Sequence, residues 1–145
     1  MEKRTHVTRV EVNSVDGDYH MVAANEEGNT VDIDAAPSIG GTGKGMRPMQ
    51  MLLSALGGCS SIDVISILKK QKQEVKNIKT IIEGTRDPAS VPSVFTEMHV
   101  RFVLTGTVDQ DKADKAVALS MEKYCSVAAM MDKHARISYS CEISN

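Results

Sequence analysis

The sequence predicts an α+β fold, and three observations carry the prediction. Short runs of alternating hydrophobicity fill the first third, a long apolar segment follows from Pro48, and alternating runs return before a second helical stretch. The 145 residues are enough for one ordinary domain. No repeat, low-complexity tract or linker interrupts them, so residues 1–145 read as a single domain.

The first third reads as a β-meander. "HVTRVEV" alternates, Asp16-Gly17 signals a tight turn and "YHMVAA" supplies the return strand. A turn at "NEEGN" leads into "TVDID", where Val31 and Ile33 share a face. "APSIGGTGKGMRP" has no periodicity and reads as a Gly-rich loop. Pro48 suits the first turn of a helix, where its missing N–H costs nothing. A helix from Pro48 to Lys72 would be about 37 Å long at about 1.5 Å per residue. Its first half is apolar almost all round, and such a helix must be covered all round. A small domain covers so long a rod poorly, which predicts a second subunit. Gly57 and Gly58 sit at its centre at a cost of about 1 kcal/mol each relative to Ala. They imply close approach by a partner subunit or a substrate.

Strands return in "NIKTIIEGTR" and "FTEMHVRFVLTG", which bracket the loop "DPASVPSV". Met98, Val100, Phe102 and Leu104 alternate onto one face. "DQDKADKAVALSMEKY" reads as a helix capped by Asp109, with Ala113, Ala116, Val117, Ser120 and Tyr124 as its inner stripe. "CSVAAMMDKH" reads as a short helix capped by Ser126, and "RISYSCEIS" alternates as a closing strand.

Composition removes several function classes. Seventeen basic and nineteen acidic side chains give a net charge of -2, which offers no electrostatic reason to expect nucleic acid or an anionic membrane as partner. The N-terminal "MEKRTHVTRVEV" lacks the apolar run of a secretory signal. The segment Met49–Leu68 is interrupted by Gln50, Ser54, Ser60, Ser61, Asp63 and Ser66, and Asp63 would be costly in lipid. A soluble, cytoplasmic protein is therefore expected. In a reducing compartment its three cysteines argue against a disulfide framework and leave metal binding, catalysis or packing.

Cys59 shares a helical face with Leu52, Ala55, Leu56, Ile62 and Asp63, so its thiol would lie in an apolar wall. That setting fits plain core packing, and it equally suits a greasy substrate, although burial disfavours a charged sulfur. Cys125 precedes the Ser126 cap, near the positive end of a helix and near Lys123; both features stabilise a thiolate. The bland alternative is a helix-junction Cys packed by Tyr124. Cys141 shares parity with Ile137, Tyr139 and Ile143 and reads as core. The cysteines form no CxxC pair and His6, His20, His99 and His134 are scattered, so neither a zinc site nor any cofactor is expected. "GGTGKG" fails as a phosphate loop, because Gly45 follows Gly43-Lys44 where Ser or Thr is needed, and Ser38 stands five before Gly43. There is no GxSxG, HExxH or GxGxxG.

"RPMQMLLSALGGCSSIDV", "FTEMHVRFVLTG", "KYCSVAAMM" and "ISYSCEI" together resemble the OsmC/Ohr family, the osmotically inducible and organic hydroperoxide resistance proteins. The resemblance covers nearly the whole chain. It implies an OsmC-like fold: an α+β homodimer of intertwined subunits, an N-terminal β-meander, a long central helix buried in the dimer and a second βααβ half. The best-studied branches are thiol peroxidases, and there Cys59 falls on the peroxidatic and Cys125 on the resolving position. Those branches carry a Glu after the helix-opening Pro that orients a catalytic Arg; this chain has Met49, then Gln50. Arg47 is the preferred counterpart of the Arg, over Arg9 on the first strand, and the match is closest to the YhfA-like branch.

The resemblance implies reduction of a small hydrophobic hydroperoxide through a Cys59/Cys125 dithiol-disulfide cycle, recharged by an external dithiol reductant. Two other functions stay open. One is a non-catalytic dimer that binds a small hydrophobic ligand. The other is a thiol redox sensor without peroxidase activity.

Overall fold

A computed structural model describes residues 5–144, which group into two compact units that divide between Met51 and Leu52. In the first unit β1 (Val10–Ser14), β2 (Met21–Asn25) and β3 (Thr30–Ile33) form an antiparallel sheet in that order, as the meander reading requires. Cross-strand register sets Val12 beside Ala23 and Ala23 beside Val31. Val10, Val12 and Val31 are all exposed. The Asp16-Gly17 connection is wider than a two-residue turn: Val15 N–H donates to His20 O at 2.9 Å, and Asp18 N–H to Asp16 Oδ1 at 3.0 Å.

The Gly-rich segment after β3 folds around a carboxylate of its own chain. Asp34, 2% exposed, accepts hydrogen bonds from the N–H groups of Ala35 (2.8 Å), Thr42 (3.1 Å) and Lys44 (3.1 Å) and from the Thr42 hydroxyl (3.1 Å). Its own N–H donates to Met46 O at 3.0 Å and closes the loop. Burial alone would raise the Asp34 pKa. The hydrogen bonds from Lys44, Ala35 and Thr42 overcome it and hold the carboxyl down at about 2. The loop is thus an anion cradle whose anion is built in. Gly41 is needed there, since a Cβ at that position would lie 1.7 Å from Ala35 O.

Helix α1 (Pro48–Lys70) opens at the end of the first unit. The Gln50 side chain reaches back to accept from Arg47 N–H at 2.9 Å, half of a capping box, with Pro48 at the first helical position. The helix stops two residues short of the expected Lys72. Lys72 adopts a left-handed conformation (φ 59°), its N–H donates to Lys69 O, and Gln73 N–H donates to Leu68 O. This is a Schellman motif, which satisfies the last carbonyls and ends the helix.

In the second unit β4 (Glu74–Arg86) pairs antiparallel with β5 (Phe95–Thr107), and β6 (Arg136–Ser144) pairs parallel with β5. Between β5 and β6 the chain crosses over through α2 (Gln110–Leu119), a π-helical turn at Ser120–Tyr124 and α3 (Ser126–Met131), since parallel neighbours need a long connection. Met98, Val100, Phe102 and Leu104 are buried on one face, as their alternation predicts. α1 lies over that face. Leu56, Ser60, Val64 and Leu68, spaced by four, are fully buried, and the Ser61 and Thr80 hydroxyls meet at 2.6 Å. A Cβ on Gly57 would come within 2.4 Å of Ile82 Cδ1, so Gly57 admits the chain's own β4 rather than a partner or a substrate. Gly58 has open space around it.

Asp109 caps α2 as expected, accepting from Lys112 N–H at 3.1 Å. Ala113, Ala116, Val117 and Ser120 face inward, but Tyr124 is 52% exposed. The π turn explains the departure. Cys125 N–H donates five residues back to Ser120 O at 2.7 Å, so one extra residue enters the turn and shifts the face. Met121 is buried instead of Tyr124.

Candidate functional site

On α1, Cys59 and Asp63 are one helical turn apart at the margin of the buried stripe, and both are half-buried. Across from them, the π turn delivers Ser120 and Cys125. The Ser120 hydroxyl, fully buried, donates to Asp63 Oδ2 at 3.0 Å and also lies 3.3 Å from Ser60 O. Cys59 Sγ, Cys125 Sγ and a carboxylate oxygen of Asp63 all lie within 4.8 Å of one another. All three cysteines are free thiols.

Cys125, 3% exposed, is itself the cap of α3, a position expected for Ser126. Its sulfur accepts from Ala128 N–H at 3.3 Å. The thiolate stabilisation expected from that helix end does not prevail. Burial pushes the Cys125 thiol up to about 11; the Ala128 N–H opposes the rise, and the adjacent Cys59 adds to it. A hydrogen bond from Tyr139 on β6 to Glu122 ties the π turn to the sheet. That bond is the main reason the Tyr139 phenol is raised to about 12, with burial second.

Cys141, on β6 in register with Phe102 of β5, lies away from this cluster, and burial is the main cause raising its thiol to about 11. Arg47 belongs to the first unit, where its side chain is exposed. His99 spans Ser138 and Ser140 (2.7 and 3.2 Å), and His20 pairs with Asp32 at 2.8 Å. Asp63 is the site residue that sequence reasoning passed over, although its four-residue spacing from Cys59 on a helix was a usable signal. Beside it opens a mainly apolar groove of about 540 Å³, lined in part by Asp63, Ile67, Leu119 and Tyr124, with Lys70 and Gln71 also on its wall.

The chain is similar to proteins of known family. A family profile described as OsmC-like protein matches residues 41–140. Protein YhfA of Escherichia coli K12 is 44% identical over 101 residues, which cover 69% of this chain and 75% of YhfA. Among solved structures, a hypothetical protein from Aquifex aeolicus VF5 superposes with a TM-score of 0.80 at 32% identity, over 97% of this chain and 100% of that one. An organic hydroperoxide resistance protein OsmC from Legionella pneumophila superposes with a TM-score of 0.72 at 16% identity, over 97% and 99%, a likeness of fold. With the two cysteine-bearing segments inside the matched region, this chain belongs to the OsmC-like protein family.

Proposed function

We propose that the protein is a thiol peroxidase that reduces organic hydroperoxides through Cys59 and Cys125. The observation that carries this reading is the pairing of a half-buried thiol with a buried one, their sulfurs within 4.8 Å, beside an apolar groove. Cys59, the more accessible, is the attacking sulfur. Its thiolate takes the outer peroxide oxygen, forming a sulfenic acid, and the alkoxide leaves as the alcohol after gaining a proton. Cys125 then attacks the Cys59 sulfur, forming the S–S bond and releasing water. At a pKa of about 11 Cys125 holds its proton at neutral pH, so it needs a base, and Asp63 is the carboxylate within reach of both sulfurs. Asp63 accepts that proton and passes it to the departing hydroxide. The sulfurs must close from within 4.8 Å to an S–S bond of about 2.05 Å. An external dithiol then restores both thiols.

The hydroperoxide resistance of similarly folded proteins supports the same chemistry. Arg47 remains the candidate for stabilising the Cys59 thiolate, with Met49 standing where a carboxylate partner would be. The dimer belongs to the same proposal: Ile62 is 66% exposed on α1 and Leu52 is exposed too, an apolar surface suited to a second copy. Stopped-flow oxidation of the reduced protein tests the activity. Cumene hydroperoxide should react much faster than hydrogen peroxide and leave a Cys59–Cys125 disulfide. Equal, slow reaction with both would turn the assignment towards a ligand-binding protein.

A further inference from the structure

The cluster of Cys59, Asp63 and Cys125 has a second chemistry that needs no peroxide. A thiol and a carboxylate one turn apart on α1 meet a second thiol, delivered by the remote π turn, with all three ligand atoms within 4.8 Å of one another. We propose that the reduced protein binds one Zn²⁺ ion there, through Cys59 Sγ, Cys125 Sγ and one oxygen of Asp63, with water in the fourth position.

The dimensions fit. Zinc takes sulfur at about 2.3 Å and carboxylate oxygen at about 2.0–2.2 Å. In a tetrahedron those bonds set ligand atoms about 3.5–3.8 Å apart, so the ligands need draw in by little more than about 1 Å from their present limit of 4.8 Å. The surroundings are also suited to it. Ser120 donates to Asp63 Oδ2, which orients the carboxylate and leaves Oδ1 for the ion. Ala128 N–H already points at the Cys125 sulfur and would support it as a thiolate ligand. Cys59 and Asp63 are half-buried and Asp63 lines the groove, which provides an entry path.

Binding releases the two thiol protons to solvent, so three negative ligands meet a doubly positive ion and the site carries a net charge of -1. Two thiolates select a thiophilic cation and exclude Mg²⁺ and Ca²⁺. With both sulfurs held by the ion, neither is free to form a disulfide, so zinc and oxidation compete for one site. The proposal does not rest on the peroxidase reading, because the ion requires only that both thiols be reduced.

Anaerobic titration of the reduced protein with Co²⁺ tests it. One equivalent per chain should produce tetrahedral visible bands and thiolate-to-cobalt charge transfer, and one equivalent of Zn²⁺ should displace them. Asp63→Asn should weaken zinc by at least about tenfold, Cys125→Ser should halve the charge-transfer intensity or abolish it, and Cys141→Ser should change neither. A second measurement needs no variant: in the native chain Zn²⁺ should slow alkylation of Cys59 and Cys125 by iodoacetamide, read by mass spectrometry, and leave Cys141 unaffected. Absence of charge transfer, full-strength zinc binding in Asp63→Asn, or unchanged alkylation of Cys59 and Cys125 would each overturn the assignment.

Discussion

Asp34 and Asp63 are two carboxylates in contrasting settings. Asp34 is buried and saturated, with three backbone N–H groups and a hydroxyl aimed at it. Asp63 is half-buried, accepts from Ser120, and faces two thiols. The first arrangement stabilises charge with four donors from its own loop and buries both oxygens among them, so its work is structural. The second leaves an oxygen available to a proton or a cation. Burial alone does not separate a structural acid from a chemical one; the number of donors already satisfied does.

Removing the sulfur beside Asp63 should abolish the chemistry altogether. Cys59→Ser should reduce hydroperoxide consumption to the buffer background, followed by a ferrous-xylenol assay. Cys125→Ser should still consume one equivalent and leave a sulfenic acid that dimedone traps. Turnover retained in Cys59→Ser would show that the cluster is structural, like Asp34.

At Asp34, the converse experiment removes charge from the cradle. Asn places an NH₂ against donors that need an acceptor, and the loop should open to trypsin at Lys44. The pH dependence has a definite sign. The folded value of about 2 lies below the unfolded value of about 3.9, so folding favours the charged form. The stabilisation is complete above pH about 4 and is lost as pH falls through about 2. Urea midpoints of wild type and Asp34→Asn should therefore differ at pH 6 and converge near pH 2. Gly41→Ala should open the same loop at every pH, because its Cβ collides with a backbone oxygen.

A subtler effect sharpens the picture at Asp63. Ser120→Ala removes its hydroxyl donor and should cost about 1–2 kcal/mol in urea unfolding, while slowing closure of the Cys59–Cys125 disulfide severalfold. The smallest effect lies away from both acids. Lys72→Gly relieves a left-handed residue at the end of α1 and should stabilise the chain by about 1 kcal/mol, seen as a higher melting temperature.

Those contrasts also mark where the sequence could be read and where it could not. The meander, the long helix, the alternation from Met98 to Leu104 and the Asp109 cap were legible because each rests on local periodicity or a single side-chain bond. Cys59 and Cys125 came together through the family resemblance. Asp63 was missed, although it shared a helical face with Cys59, because its partners Ser120 and Cys125 are remote in sequence and no local pattern joins them. The π turn defeated the periodicity argument outright: a 3.6-residue repeat continued through Ser120 predicts Tyr124 inward, and one added residue turns Cys125 inward instead. The Gly-rich loop was read only as an aperiodic segment that fails the phosphate-loop pattern. What went unseen was that Asp34 fills the cradle, since donors at Thr42 and Lys44 reach it only after the loop closes.

The placement of α1 matters during synthesis. The helix is long and apolar enough to cross a bilayer by length and composition, and the strands that cover its buried stripe, β4 and β5, come after it in the chain. Translation proceeds at about 5–20 residues per second, so a nascent chain carries this helix uncovered for about 2–7 s before Thr107 has been added. Until then the pair of strands that hides Leu56, Val64 and Leu68 is incomplete. Until β4 and β5 have paired over it, this greasy rod relies on its serines and on Asp63, the one charge between Pro48 and Leu68, for its compatibility with water.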